Sequence, residues 1–197
     1  MPRQEKLSIE KIIAASIEII DVKGYNALTL ADVAKVLKIK PPSLYNHISG
    51  LDALRQQMGH YAMTAFYDAM TTSAFGKSGS EAIYAVSDAY MQFVKERTSL
   101  YQSMTRVPNE SEPAYAALNQ KLTSMLTQLM AHYAESESDR IHCVRGLRSL
   151  LYGFAAIELE GGFRMAVSKS ESFQYILDLY IKGLESNCQS RKLENNH

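Results

Sequence analysis

An all-α fold of about nine helices is what this sequence predicts, and two observations carry the prediction. Apolar residues recur at three- and four-residue steps along almost the whole chain, and no pair of alternating runs joined by a tight turn offers a strand or hairpin. Helix length also changes along the chain. The helical segments before residue 50 are short, whereas those from residue 52 onward lengthen, which predicts a small N-terminal unit followed by a larger helical bundle.

The first helix opens at Ser8, a helix-capping residue with Glu10 in the first turn, and runs to a stop at Gly24. Its Ile9, Ile12, Ile13, Ile17 and Ile20 would suit a strand by composition, but the length, the Ala14-Ala15 pair and the charged Glu18 and Asp21 select a helix. Thr29 followed by Asp32 is a capping-box pattern opening a second helix at about 30–37, with Val33, Ala34 and Leu37 on one face. Pro41 then forces Lys40 out of helical geometry, while Pro42 suits the first position of a third helix at about 42–48. Ser49-Gly50 closes that helix, and Asp52 starts the fourth. Three short helices in this order form a helix-turn-helix unit.

Later helices are expected at about 52–74, 80–96, 99–106, 112–134, 139–160 and 170–185. The breaks between them are Phe75 to Gly79, Pro108 to Ser111, Glu135 to Ser138 and Gly161-Gly162. In the last helix Phe173, Ile176, Leu177, Tyr180 and Leu184 form one apolar stripe, while Tyr175, Leu179 and Ile181 place apolar surface elsewhere around it. A terminal helix apolar on more than one side packs against its own core and against a partner. The expected domains are a helix-turn-helix domain at 1–50, a helical ligand-binding and dimerisation domain at 51–185, and a polar, mobile tail at 186–197.

Composition narrows the function. With 197 residues, 46% hydrophobic and 21% charged, the chain is an ordinary globular protein and excludes a long multi-domain enzyme. Zero net charge excludes a protein that coats nucleic acid indiscriminately, yet residues 1–60 hold 8 Lys/Arg against 6 Asp/Glu, leaving the remainder mildly acidic. Cys143 and Cys188 have no spacing for a zinc or redox site and read as free thiols. No apolar run reaches the ~18 residues a membrane helix needs, so a cytoplasmic protein without membrane contact is expected.

Function becomes specific between Thr29 and Leu54, TLADVAKVLKIKPPSLYNHISGLDAL. A threonine-capped second helix, an apolar turn residue, a leucine-tyrosine-x-histidine helix and a fourth helix starting at an acidic residue resemble the DNA-binding domain of the TetR family of transcriptional regulators, over roughly residues 8–56. The physics agrees: Leu44 and Ile48 supply the buried side of a recognition helix, and its other side and N-terminus are left for the major groove. The resemblance implies phosphate contacts from Tyr45, His47 and Thr29, and places Lys40, Pro41, Pro42, Ser43 and Asn46 near base edges. With Lys38 in the turn and Leu44 in the helix, these are the candidate DNA-binding residues. Taken singly, Tyr45 reads as core-facing and His47 as a solvated residue; the whole pattern favours the contacts.

Two positions depart from the family pattern. Lys38 stands where the family has a turn glycine, at a cost of about 1 kcal/mol if the position needs positive φ. Leu51 stands where a phosphate-binding lysine is frequent, which leaves the amides of Gly50 and Leu51 as substitutes.

The segment Leu151-Tyr152-Gly153 to Phe163 resembles the WHG-type C-terminal domain of one branch of TetR-like regulators, with leucine and tyrosine for its tryptophan and histidine. The resemblance implies a homodimer on a near-palindromic double-stranded operator, released by a small apolar or aromatic effector. Large adaptable side chains in the later helices suit such a ligand, the best candidates being Phe66, Met70, Tyr101, Met104 and Phe154, although core packing explains most residues of this kind. Glu158 either joins that pocket or pairs with Arg148 or Arg164. No cofactor and no metal site are expected: His60 and His132 lack a partner at ligand spacing, and Gly76-Lys77-Ser78 lacks the glycine and preceding strand of a phosphate loop. A small helical enzyme and a structural helical interaction protein without DNA binding are the alternatives from other classes.

Overall fold

The structure, a computed structural model, describes residues 6–106 and 113–194. Among these it is all-α, with α1 (Ile9–Lys23), a 3-10 turn at Tyr25–Ala27, α2 (Leu30–Val36), a 3-10 segment at Pro41–Asn46, α3 (Leu51–Ala74), α4 (Gly79–Glu96), α5 (Thr98–Arg106), α6 (Pro113–Met130), α7 (Glu137–Leu159) and α8 (Lys169–Glu194). The chain forms two compact units, one of Met1–Phe66 with Lys95–Ala117 and the other of Tyr67–Val94 with Leu118–His197. The expected break at Pro108 to Ser111 lies outside the described residues.

In the first unit the caps act as the sequence predicts. Ser8 accepts the Lys11 amide at 3.5 Å, Thr29 accepts the Asp32 amide at 3.1 Å, and Gly24 ends α1 at φ 83 with its N–H on the Ile20 carbonyl at 2.9 Å. Ile12, Ile13, Ile19 and Ile20 of α1 pack with Val33 and Ala34 of α2, Leu44 and Ile48, and Leu54 and Met58 of α3 into one core. Although remote in sequence, α5 packs on α1 and on the 3-10 turn.

The third helix differs from expectation. It is a six-residue 3-10 segment, with Ser43 N–H on the Lys40 carbonyl and His47 N–H on the Leu44 carbonyl, both at 2.9 Å. The cause is local: two prolines supply no amide donors, Lys40 before them is extended, and Ser49-Gly50 follows closely, so i→i+3 closure prevails over so short a span, with a single i→i+4 bond from Ile48 N–H to the Leu44 carbonyl at its end.

The second unit is built on α7 against α8. Leu147, Leu151 and Phe154 of α7 and Phe173, Leu177, Ile181 and Leu184 of α8 are buried, so Ile181 belongs to the core stripe and not to the outer surface. Gly146 makes room for the Tyr180 ring, since a Cβ there would lie 3.1 Å from it, and the Tyr180 hydroxyl donates to the Cys143 carbonyl. Tyr84 of α4 donates to Asp178 of α8 at 2.8 Å; burial first, and then that carboxylate, push its phenol up to about 12. α7 ends at Gly161, φ 68, with Gly162 N–H on the Ile157 carbonyl at 2.8 Å.

At the end of the chain α8 continues to Glu194, nine residues past the expected helix end at 185 and through most of the segment read as a tail. Polarity suggested the tail, but no glycine or proline breaks the helix after Gly183. The Cys188 thiol meets the His132 carbonyl at 3.7 Å, fastening this extension to the turn after α6.

Candidate nucleic-acid interface

The turn between α2 and the 3-10 segment is a closed C-terminal cap. Ile39 N–H bonds the Ala34 carbonyl at 3.0 Å and Lys38 N–H the Lys35 carbonyl at 3.2 Å, which is the paired pattern that requires a left-handed residue between helix and exit. Lys38 is that residue, at φ 55, and no other non-glycine residue among those described has positive φ. Ile39 packs onto the core behind it. The position therefore does require the conformation that favours glycine, and lysine adopts it.

Beyond the turn, burial sorts the candidate residues. Leu44 is 0% exposed and Ile48 5%, so one side of the segment is locked in the core. Leu44 consequently cannot meet DNA through its side chain, which corrects its place among the contact residues; its role is to seat the segment. Lys38, Lys40, Pro41, Pro42, Tyr45, Asn46 and His47 are exposed and Ser43 is half-buried. Tyr45, at 60% exposure, is not the core residue that its type alone suggests. The segment thus joins two ammonium groups, a phenol, an imidazole, an amide and a hydroxyl on a surface fixed from behind, which is the donor set that phosphates and base edges take.

Thr29 is exposed at the start of α2, and its hydroxyl is committed. It donates to Asp32 Oδ2 at 2.8 Å while accepting the Asp32 amide, and Lys23 Nζ meets Asp32 Oδ1 at 2.8 Å. The Lys23 and Thr29 hydrogen bonds hold the Asp32 carboxyl below its ordinary range. Sequence reading found the cap and missed Lys23, whose partner lies nine residues on, beyond any helical spacing. At the start of α3, Leu51 packs onto the core and Arg55 lies over the Tyr25 ring. The aromatic residue after the Gly24 stop was a visible signal for this contact; Arg55 itself carried none.

The candidate effector residues do not fall in one unit. Phe66, Tyr101 and Met104 are buried in the first, and Met70 and Phe154 in the second. Phe154 packs against Phe163 and Phe173, with ring centroids 4.6 and 5.2 Å away. Glu158 pairs with Lys169 at 3.8 Å, a partner different from both arginines that the sequence offered. Among the described residues, no His, Cys, Asp and Glu cluster could hold a metal ion, and no helix is long and apolar enough to cross a membrane.

Comparison with known proteins agrees with the geometry. Residues 12–58 match the family profile described as bacterial regulatory proteins, tetR family, and residues 83–180 match a tetracyclin repressor-like C-terminal domain. The chain is 31% identical over 180 residues to the uncharacterized HTH-type transcriptional regulator YobS of Bacillus subtilis, covering 90% of this chain and 93% of that protein. Its fold is similar to that of a protein of unknown function from Rhodococcus sp. RHA1, with a TM-score of 0.79 at 13% identity, covering 93% of this chain and 98% of the other. It is also similar to a TetR variant from Acinetobacter baumannii in complex with minocycline, with a TM-score of 0.69 at 16% identity over 92% and 98% of the two chains.

Proposed function

Because this chain belongs to the TetR family of bacterial helix-turn-helix transcriptional regulators, whose members are not enzymes, we propose that it is a homodimeric repressor that leaves its operator when a small apolar or aromatic ligand binds. The observation that carries the reading is the segment from Lys38 to His47, polar and exposed on one side and held in the core by Leu44 and Ile48 on the other. Such a segment meets the major groove without moving its own anchor. Residues 1–50 form the DNA-binding domain and residues 51–185 carry ligand binding and dimerisation, acting in the cytoplasm where the operator is.

Dimerisation is supported by surface that the second unit leaves open. Tyr152 and Ile157 of α7 are 57% and 44% exposed, and Tyr175 and Leu179 of α8 are 66% and 53% exposed. Paired across a two-fold, α7 and α8 make a four-helix bundle that covers these side chains. The effector class is proposed from the chemistry of the candidate residues taken within each unit, Phe66, Tyr101 and Met104 in the first and Met70 and Phe154 in the second, all of them buried rings and thioethers that suit an apolar or aromatic molecule. The minocycline complex of a structural relative supports a small molecule in this role.

The test is a pair of variants on a DNA fragment selected by the wild-type protein. Tyr45→Ala with His47→Ala is expected to weaken binding to all sequences and flatten its salt dependence, while changes at Ser43 or Asn46 alter sequence preference. Unchanged affinity in the Tyr45/His47 variant sinks the assignment of this segment as the reader.

A further inference from the structure

Tyr25 lies in the 3-10 turn that leaves α1 and is 8% exposed. Two guanidinium groups from distant elements lie over its ring: Arg55 of α3, with Cζ 5.4 Å from the ring centroid, and Arg106 at the end of α5, with Cζ at 5.1 Å. Arg106 also donates from Nη1 to Asn26 Oδ1 at 3.2 Å. At the opposite end of α5 the Ser99 hydroxyl donates to Asp21 of α1. A helix remote in sequence is therefore fastened at both ends to the last turn of α1 and the residues after it. Arg55 has a loose ion pair with Asp52 of its own helix, 3.8 Å, and its buried Nε has no hydrogen-bond partner, so among the interactions described the Tyr25 ring is what ties it to another element. Burial holds the Tyr25 phenol above its ordinary range against the pull of both arginines.

Tyr25 shares one core with Ile20, Val33, Leu44 and Ile48, so a shift of its ring displaces the side chains that seat the reading segment. We infer that Tyr25, clasped by Arg55 and Arg106, is the joint that sets the orientation of the reading segment on α3 and α5, and that both arginines are positioning residues for DNA binding and not phosphate ligands. The inference rests on the reading of Lys38 to His47 as the DNA-contacting segment. Opening the joint lowers the fraction of molecules with the segment in place, and the apparent dissociation constant rises as the inverse of that fraction. The phosphate contacts of the bound state are untouched. Salt dependence separates this role from a direct one, because each lost phosphate contact lowers the slope of log affinity against log salt by about 0.9.

The experiment uses the full chain, with Arg106→Ala and Tyr25→Phe as variants; Arg106 is exposed, so its loss spares the core, and phenylalanine keeps the ring face. Affinity for a fragment selected by the wild-type protein is titrated across salt, and amide hydrogen exchange is followed without DNA. Arg106→Ala is expected to weaken binding about 3–30-fold at every salt concentration with an unchanged slope. It is also expected to speed exchange at Ala27 and Leu28, whose amides bond the Gly24 and Tyr25 carbonyls, while Tyr25→Phe stays within about twofold of wild type in both measurements. A shallower salt slope makes Arg106 a phosphate ligand and overturns the inference, as does unchanged exchange at the two amides. If the wild-type protein selects no DNA, the reading of Lys38 to His47 fails by itself, and the exchange measurement still decides whether the joint exists.

Discussion

Lys38 combines a backbone penalty with a charge in the right place. Its left-handed conformation, φ 55, costs about 1 kcal/mol relative to glycine, while its exposed ammonium lies beside Lys40 at the start of the reading segment. Lys38→Gly should therefore raise the urea midpoint by an amount equivalent to about 1 kcal/mol and at the same time weaken DNA binding, with a smaller salt slope. A stability gain without a loss in affinity shows that the side chain does not reach phosphate. Asp32 makes a second residue-scale prediction. Its folded pKa is lowered by Lys23 and Thr29, so its contribution is present above the unfolded carboxylate range and is lost as pH falls through the folded value. Urea midpoints measured from neutral pH into the acid range should fall less steeply for Asp32→Asn than for wild type, and parallel profiles exclude the network as a contributor.

At the scale of elements, α8 separates packing from assembly. Leu177 is 0% exposed, and Leu177→Ala should destabilise the fold by about 2–5 kcal/mol. Tyr175 and Leu179 are more than half exposed one helical turn apart, so Tyr175→Glu with Leu179→Glu should leave the fold intact and yield monomers in sedimentation that bind operator weakly. A wild-type protein that is monomeric at micromolar concentration contradicts the interface. The same helix shows what the sequence made legible. Phe173, Leu177 and Leu184 were readable as core because burial follows helical period, whereas Ile181 was misplaced on the outer surface; it shares the Leu177 side at a spacing of four. Capping at Ser8, Thr29 and Gly24 is local chemistry and was read correctly. The 3-10 form of Pro41–Asn46 depends on how two prolines and a nearby glycine share so short a span, and the α8 extension on the absence of a breaker in a polar stretch; neither leaves a hydrophobic signal. Contacts such as Tyr25 with Arg106 join residues that only the folded chain brings together.

For the whole molecule, regulation requires that an effector distinguish two arrangements of the protein. A ligand preferring the DNA-incompetent arrangement with a coupling of 1–3 kcal/mol lowers operator affinity about 5–150-fold. Small apolar and aromatic compounds that raise the melting temperature are accordingly expected to weaken operator binding, and hits that leave operator affinity untouched argue against a switch. All of this depends on the segment from Lys38 to His47 reading DNA as part of a symmetric pair. The most direct test is selection of genomic fragments by purified wild-type protein and by the Tyr45→Ala, His47→Ala variant, followed by footprinting of what is recovered. The account predicts that wild type recovers a near-palindrome whose half-sites lie ~34–36 Å apart or a multiple of that distance, and that the double variant recovers none. Recovery of the same fragments by both proteins, or of fragments without two-fold symmetry, would contradict it.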